Sequence, residues 1–307
     1  MSVVHRAMAN RVEALSMSWR VGRALREEGW GGEILAVFPH SCYLLDEDGA
    51  ICALVEERAG NGPLNLVIPP AAPNTFQLLS VGDTVKSTGE VLMLSDSLDV
   101  GLAGARLWDP KPYPAAGTDP ERYRQSLGVL FDTATNHSPE TSLARLLPHL
   151  QDEDLPDSLQ RVGHFPRSHA LMGGLVESLG RRNRRGLKVV TSSMAGLGPG
   201  LTPACDDFLA GVLLALAIHH QQHADAELAE IASMVVETAS PRTGEISAAY
   251  LRAAHQGEAH ERWHHLLSAM GTGDAGSIEE TAKSVMQAGE TSGADMLAGF
   301  LAAMRTL

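Results

Sequence analysis

The feature that most constrains this chain is a change of period at a proline-rich stretch, Asp109-Pro110-Lys111-Pro112-Tyr113-Pro114. Proline fixes φ and removes a backbone donor, so neither a helix nor a central strand runs through such a segment, and it reads as a linker. Before it, short β-prone runs cover residues 33–38, 42–45, 51–55, 64–68, 76–79, 81–86, 90–94 and 100–107. Turn signals separate them, among them Asp48-Gly49, Asn61-Gly62-Pro63 and Pro69-Pro70. Strands of this length and spacing predict a small antiparallel barrel or sandwich. A helix over residues 9–28 precedes them, with Val12, Leu15, Trp19 and Leu25 at turn spacing and Gly29 as the stop. After the linker the period is helical over 120–134, 141–150, 169–182, 203–222, 226–238, 246–255, 260–269, 277–288 and 294–304, with one β-prone stretch at 187–191. The expected class is α+β. A helix and a β-rich barrel- or sandwich-like domain occupy residues 1–115, and a mainly α-helical domain occupies 116–307.

Composition then excludes whole classes of function. Lys and Arg number 24 against 37 Asp and Glu, a formal net charge of −13. General affinity for nucleic acid or anionic membrane needs a basic face, so neither partner is expected. At 44% hydrophobic and 20% charged residues the chain is neither disordered nor fibrous. Its longest apolar run, residues 208–218, is eleven residues long, short of the roughly 20 that span a bilayer. His5, Arg6, Arg11 and Glu13 break up the first residues, so no signal segment is expected. Cys42 and Cys52 flank a turn and could bridge, but a reduced, cytoplasmic chain is the expectation. Any anion bound here must be drawn by a local site.

That site is best sought at Gly196-Leu197-Gly198-Pro199-Gly200-Leu201-Thr202-Pro203-Ala204-Cys205-Asp206-Asp207. Gly196, Gly198 and Gly200 let a ligand approach main-chain N–H groups. Thr202 suits an N-cap and Pro203 the first helical position, and a helix start favours a phosphate or carboxylate. No Gly-Lys-Ser/Thr follows and no G-x-G-x-x-G is present, so a nucleotide is not indicated. The plain alternative is a tight turn with Asp206 and Asp207 as first-turn acids. A second segment, Gly289 to Gly299, echoes the first: Asp207-Phe208-Leu209-Ala210-Gly211 against Asp295-Met296-Leu297-Ala298-Gly299, with Thr291-Ser292-Gly293 ahead of it. Two similar helix starts facing one site would match Asp207 with Asp295. The candidate catalytic residues are therefore Asp206, Asp207 and Asp295. Gly196, Gly198, Gly200, Thr202, Thr291, Ser292 and Gly293 are the candidate substrate contacts. The carboxylates could orient an amide or amine, or hold a Mg²⁺ beside a phosphate; no cofactor is required.

Other segments are less informative. Cys205 at a helix start invites a nucleophile reading, but two adjacent aspartates oppose a thiolate, and a packed residue is expected. His260-Glu261-Arg262-Trp263-His264 matches H-E-x-x-H, yet its polar surroundings and the missing third ligand argue against a zinc protease. His219, His220 and His223 suit a helix end. Arg181-Arg182-Asn183-Arg184-Arg185 with Lys188 is either a solvated helix end or an anion contact. Arg167 offers a further, weaker anion contact.

The Gly-Leu-Gly-Pro-Gly-Leu-Thr-Pro loop with Asp206-Asp207-Phe208-Leu209-Ala210-Gly211, together with Thr291-Ser292-Gly293 and Asp295, resembles a bacterial family that includes the AllH-type subunit of oxamate carbamoyltransferase, from anaerobic allantoin breakdown. That family's loop more usually reads Thr-Pro-Ser-Gly-Asp-Asp, where this chain has Ala204-Cys205 in place of Ser-Gly. The resemblance implies one subunit of a multi-chain transferase acting with two other subunits. The implied reaction is phosphorolysis of oxalurate to oxamate and carbamoyl phosphate, or its reverse, with a small anionic substrate. Two other readings stay open: a non-catalytic assembly or regulatory subunit that binds a small anion or a partner, and a metal-dependent hydrolase using the aspartates or His260 and His264.

Overall fold

The computed structural model describes residues 10–27, 29–70, 75–112 and 119–307. The expected boundary at residues 115 and 116, the end of the linker at Tyr113-Pro114, and positions 9 and 28 lie outside them. The chain divides into two compact units, Met1–Pro110 and Lys111–Leu307.

The first unit contains β1 (Asn10–Glu13), β2 (Ser16–Ser18), α1 (Trp19–Leu25), β3 (Gly31–Phe38), β4 (Ser41–Asp46), β5 (Ile51–Glu56), β6 (Asn65–Ile68), β7 (Thr84–Ser87), β8 (Val91–Leu94), β9 (Leu98–Gly101) and β10 (Arg106–Trp108). They form one sheet in the order β1-β9-β8-β7-β3-β4-β5-β6-β2-β10. From β9 to β5 every pairing is antiparallel, whereas β1 with β9, β5 with β6 and β2 with β10 run parallel. β1 and β2 stand near opposite ends of this order, yet only Ala14 and Leu15 separate them. The three steps from Glu13 to Ser16 span at most about 10 Å, so the sheet must curl until its ends approach. The Ala14 N–H donates to the Gly101 carbonyl at 2.9 Å and the Leu15 N–H to the Val67 carbonyl at 2.8 Å, one bond to each end. Met17, Ile34, Leu44, Leu54, Leu66 and Val100 fill the interior of this half-barrel.

Sequence and structure differ most at the start. The helix expected over 9–28 is two strands followed by the short α1, which Ser18 caps by accepting from the Val21 N–H at 3.2 Å. Leu15 is 41% and Trp19 58% exposed, so the supposed apolar face is no face at all. Pairing with β9, β6 and β10 decides this segment, and local period is blind to such distant partners. Residues 76–78 form a 3₁₀ turn rather than a strand, and the run expected over 100–107 splits between β9 and β10. Cys42 and Cys52 are buried free thiols on neighbouring strands, and burial raises Cys52 to about 12.

The second unit is helical: α2 (Pro120–His137), α3 (Asp157–Gln160), α4 (Phe165–Gly180), α5 (Arg184–Met194), α6 (Ala204–His223), α7 (Ala226–Ala239), α8 (Glu245–His255), α9 (Glu261–Thr272), α10 (Ala275–Met286) and α11 (Ser292–Met304), with a 3₁₀ turn at Leu143–His149 where a helix over 141–150 was expected. The β-prone stretch 187–191 lies inside α5. Asn183 caps that helix, and Leu187, Thr191 and Met194 bury at helical spacing while Val189 faces solvent. Cap and core override the β preference of the valines. α6 is apolar on nearly every side and forms the centre of the unit, as a helix buried all round must. Its closest neighbour is α11. A Cβ on Gly211 would lie 1.8 Å from the Met296 carbonyl oxygen, and one on Gly299 would lie 1.8 Å from the Phe208 carbonyl oxygen. Only glycine lets the two backbones meet in this way. The contact is reciprocal, each glycine receiving the carbonyl that follows the other helix's aspartate.

Candidate functional site

The crossing of α6 and α11 brings their N-termini together, and with them most of the residues the sequence singles out. Thr202 Oγ1 and Ser292 Oγ are 3.1 Å apart. Both hydroxyls stand beside Asp207, whose electrostatic neighbours are Asp295 and Asp206. Thr202 does not cap α6 as expected: Pro203 is the cap residue, with no side-chain bond, and the Thr202 hydroxyl is left for the site. Thr291 precedes α11 and stands beside Asp295. Gly293 is a packing residue, since a Cβ there would lie 2.0 Å from the Val285 carbonyl oxygen.

The three aspartates have different fates. Asp206 is buried and fully engaged: it accepts from the Gly196 N–H at 2.9 Å, from Ser247 Oγ at 2.9 Å and from Thr243 Oγ1. It ties the start of the glycine loop to the start of α8. Asp295 is also buried, and its Oδ1 accepts from Ser142 Oγ at 2.8 Å and from the Leu143 N–H at 2.6 Å. The second oxygens of Asp207 and Asp295 are sealed from solvent without a hydrogen-bond partner. Buried carboxyl oxygens in this condition are costly unless a proton or a ligand satisfies them. Burial pushes Asp207 well above the ordinary carboxylate range; the Ser292 and Thr202 hydroxyls oppose the shift and the Asp295 charge adds to it. Burial raises Asp295 to about 6, against the Ser142 and Thr291 hydroxyls and the Leu143 N–H. Burial thus opposes ionisation at both carboxyls, and more strongly at Asp207 than at Asp295.

Ahead of α6 lies the glycine loop. Gly196, Gly198 and Gly200 all have positive φ, at 75°, 125° and 93°. Gly198 has no substitute, because a Cβ on it would also lie 2.6 Å from the Ala204 nitrogen. The N–H groups of Gly198, Gly200, Leu201 and Thr202 donate to no partner among the described residues. They stand just ahead of the α6 N-terminus, where an anion is favoured. Arg167 of α4 acts electrostatically on Cys205 at the same helix start and makes no ion pair among the described residues. Cys205 itself is buried, 3.5 Å from Ser168 Oγ, and burial lifts its thiol to about 11, so it is not a thiolate nucleophile at neutral pH.

The remaining candidates lie elsewhere. His260 caps α9 and accepts from the Arg262 N–H at 3.2 Å, so it does not share a helical face with His264 as a zinc protease needs. No group of three or more His, Cys, Asp or Glu among the described residues is placed to hold a metal. In the basic cluster, Arg182 pairs with Asp225 and Glu227, Arg184 with Glu230 and Arg181 with Glu177. His220 bonds to the Asp225 carbonyl at 2.9 Å. Sequence reasoning missed Ser142 altogether: its link to Asp295 spans 153 positions, and only its suitability as a cap was visible locally.

Residues 194–304 match the family model described as oxamate carbamoyltransferase subunit AllH, and residues 13–107 match that of the AllH family N-terminal domain. No solved structure matches the chain. No helix among the described residues is long and apolar enough to cross a membrane.

Proposed function

This chain belongs to the AllH family, and we propose that it is a carbamoyltransferase subunit whose α6–α11 site handles the carbamoyl group and its anionic partner. The observation that carries the reading is the pair of buried, unpartnered carboxyl oxygens, one from each matched helix start, together with the unbonded loop amides just ahead of α6. A carbamoyl group presents N–H donors and a carbonyl acceptor. One ionised and one protonated carboxyl are its complement. Asp295 accepts from the carbamoyl NH₂ and Asp207 supplies a proton. The amides of Gly198, Gly200 and Thr202, with Arg167, receive phosphate or the oxalurate carboxylate.

In the phosphorolytic direction a phosphate oxygen attacks the ureido carbonyl of oxalurate. The C–O bond forms and the C–N bond to the oxamate nitrogen breaks. Asp207 gives its proton to that nitrogen and regains one from hydrogen phosphate, so charge and atoms balance. The reverse runs through the same groups. The reading requires no cofactor; Asp207, Asp295 and the substrate phosphate are the oxygens a Mg²⁺ would use if one takes part. Two further transferase subunits complete the enzyme, and three buried free thiols fit a reducing cytoplasm.

The test is to isolate the chain tagged from its own host, identify what co-purifies by mass spectrometry, and measure carbamoyl phosphate formed from oxalurate and phosphate. Two stoichiometric partners and transfer activity are expected. Asp207→Asn should lower the rate by about a hundredfold or more, the scale of a lost general acid, without lowering the melting temperature. A chain that emerges alone and inactive overturns the transferase reading. A complex in which Asp207→Asn retains the full rate moves the active site to another subunit and leaves this chain an assembly or regulatory role.

A further inference from the structure

Ser142 lies in neither segment matched by the family models, yet it makes the best-defined contact in the site. Its Oγ does two things. It accepts from the Ala144 N–H at 3.1 Å, capping the 3₁₀ turn, and donates to Asp295 Oδ1 at 2.8 Å. The Leu143 N–H donates to the same oxygen at 2.6 Å. Both donors satisfy the charged form of the carboxyl. Asp207 has only the Thr202 and Ser292 hydroxyls, which bond to one another and can serve either form. The matched aspartates of two similar helices are thus made unequal by a segment from outside both.

Resting on the transferase reading above, we propose that Ser142 is a positioning residue: with the Leu143 N–H it holds Asp295 as the ionised partner, leaves Asp295 Oδ2 to accept from substrate, and confines the pair's proton to Asp207. Other charges around Asp295 do not perform this task. From α6 the titratable groups coupled to it are Asp207 and Cys205, and neither supplies a positive charge. On the packed 3₁₀ turn, Arg145 bonds to the Thr135 carbonyl and His149 to Asp152. On α10, Lys283 pairs with Glu279, which also meets His137 of α2. Arg167 of α4 acts on Cys205 and is not among the groups that shift Asp295. Neutral and main-chain donors therefore decide the ionisation.

The experiment is the pH profile of carbamoyl transfer by the assembled complex carrying Ser142→Ala or Ser142→Thr. Loss of the hydroxyl should move the acid limb, set near pH 6 by Asp295, upward by about one unit. Activity at pH 6 then falls about fivefold while activity at pH 8 is nearly unchanged. Ser142→Thr should restore the original limb. A role confined to capping would lower stability and leave the limb in place, and that result overturns the proposal. If the alanine variant does not fold, Ser142→Gly removes the same hydroxyl where glycine is tolerated as a cap. An Asp207→Asn complex at full rate would refute the transferase site itself. An inactive Asp207→Asn with an unmoved limb in Ser142→Ala refutes only the positioning role.

Discussion

Adjacent carboxylates on one helix turn serve opposite ends here, because neighbours rather than residue type set their roles. Asp206 receives three donors and anchors the loop; Asp207 points into the site with one oxygen unmet. Asp295 carries a cost that can be measured. Its folded-state value, about 6, lies above the ordinary 3.8. The folded state therefore binds the proton more tightly than the unfolded state. Its contribution to stability is most favourable below about pH 4 and is lost as pH rises through 6. Asp295→Asn removes that dependence. In urea unfolding, the stability of Asp295→Asn relative to wild type should grow by on the order of 3 kcal/mol between pH 4 and pH 7, while transfer activity is lost. A stability difference that stays flat with pH would show that Asp295 is not a buried, ionising carboxyl. A site that trades stability for chemistry behaves in this way.

At the scale of elements, the paired motif of Asp and Gly four residues on is a device for crossing two helices. The glycines bring backbone against backbone, and the aspartates one turn earlier are carried to the same side of the crossing. Gly211→Ala and Gly299→Ala each push a methyl group onto a carbonyl oxygen of the partner helix. Each is expected to cost about 3 kcal/mol or more, the upper range for overpacking a core, read by chemical denaturation. A cost below about 0.5 kcal/mol in both variants would contradict the close crossing. The echo between residues 207–211 and 295–299 was legible in the sequence. Its meaning as a contact was not, because spacing along the chain carries no information about which helices meet.

At the scale of the whole molecule, the described residues form two hydrophobic cores, one drawn from residues 14–105 and one from 127–304. Each is large enough to support cooperative folding. Residues 111–307 expressed alone should keep their helical circular dichroism and unfold in a single transition. A fragment without a cooperative transition would show that the helical unit depends on the first. The basic cluster also finds its explanation here, as Arg182 and Arg184 meet the acids at the start of α7. Exposed pairs of this kind contribute little to stability.

The sequence by itself determined the fold class, the glycine loop, the matched aspartates and the family. Each of these is written in local pattern, since turns, helix starts and apolar period depend on residues a few positions apart. Only the tertiary structure decided that residues 10–13 and 16–18 pair as strands, that 187–191 is helix and that Asp206 is fully hydrogen-bonded. The same holds for Thr202, freed from capping, and for Ser142, which holds Asp295. Each of these depends on a hydrogen bond or a packing contact between distant segments, where the energy of satisfying a buried group exceeds the few tenths of a kcal/mol, roughly, by which local propensities differ.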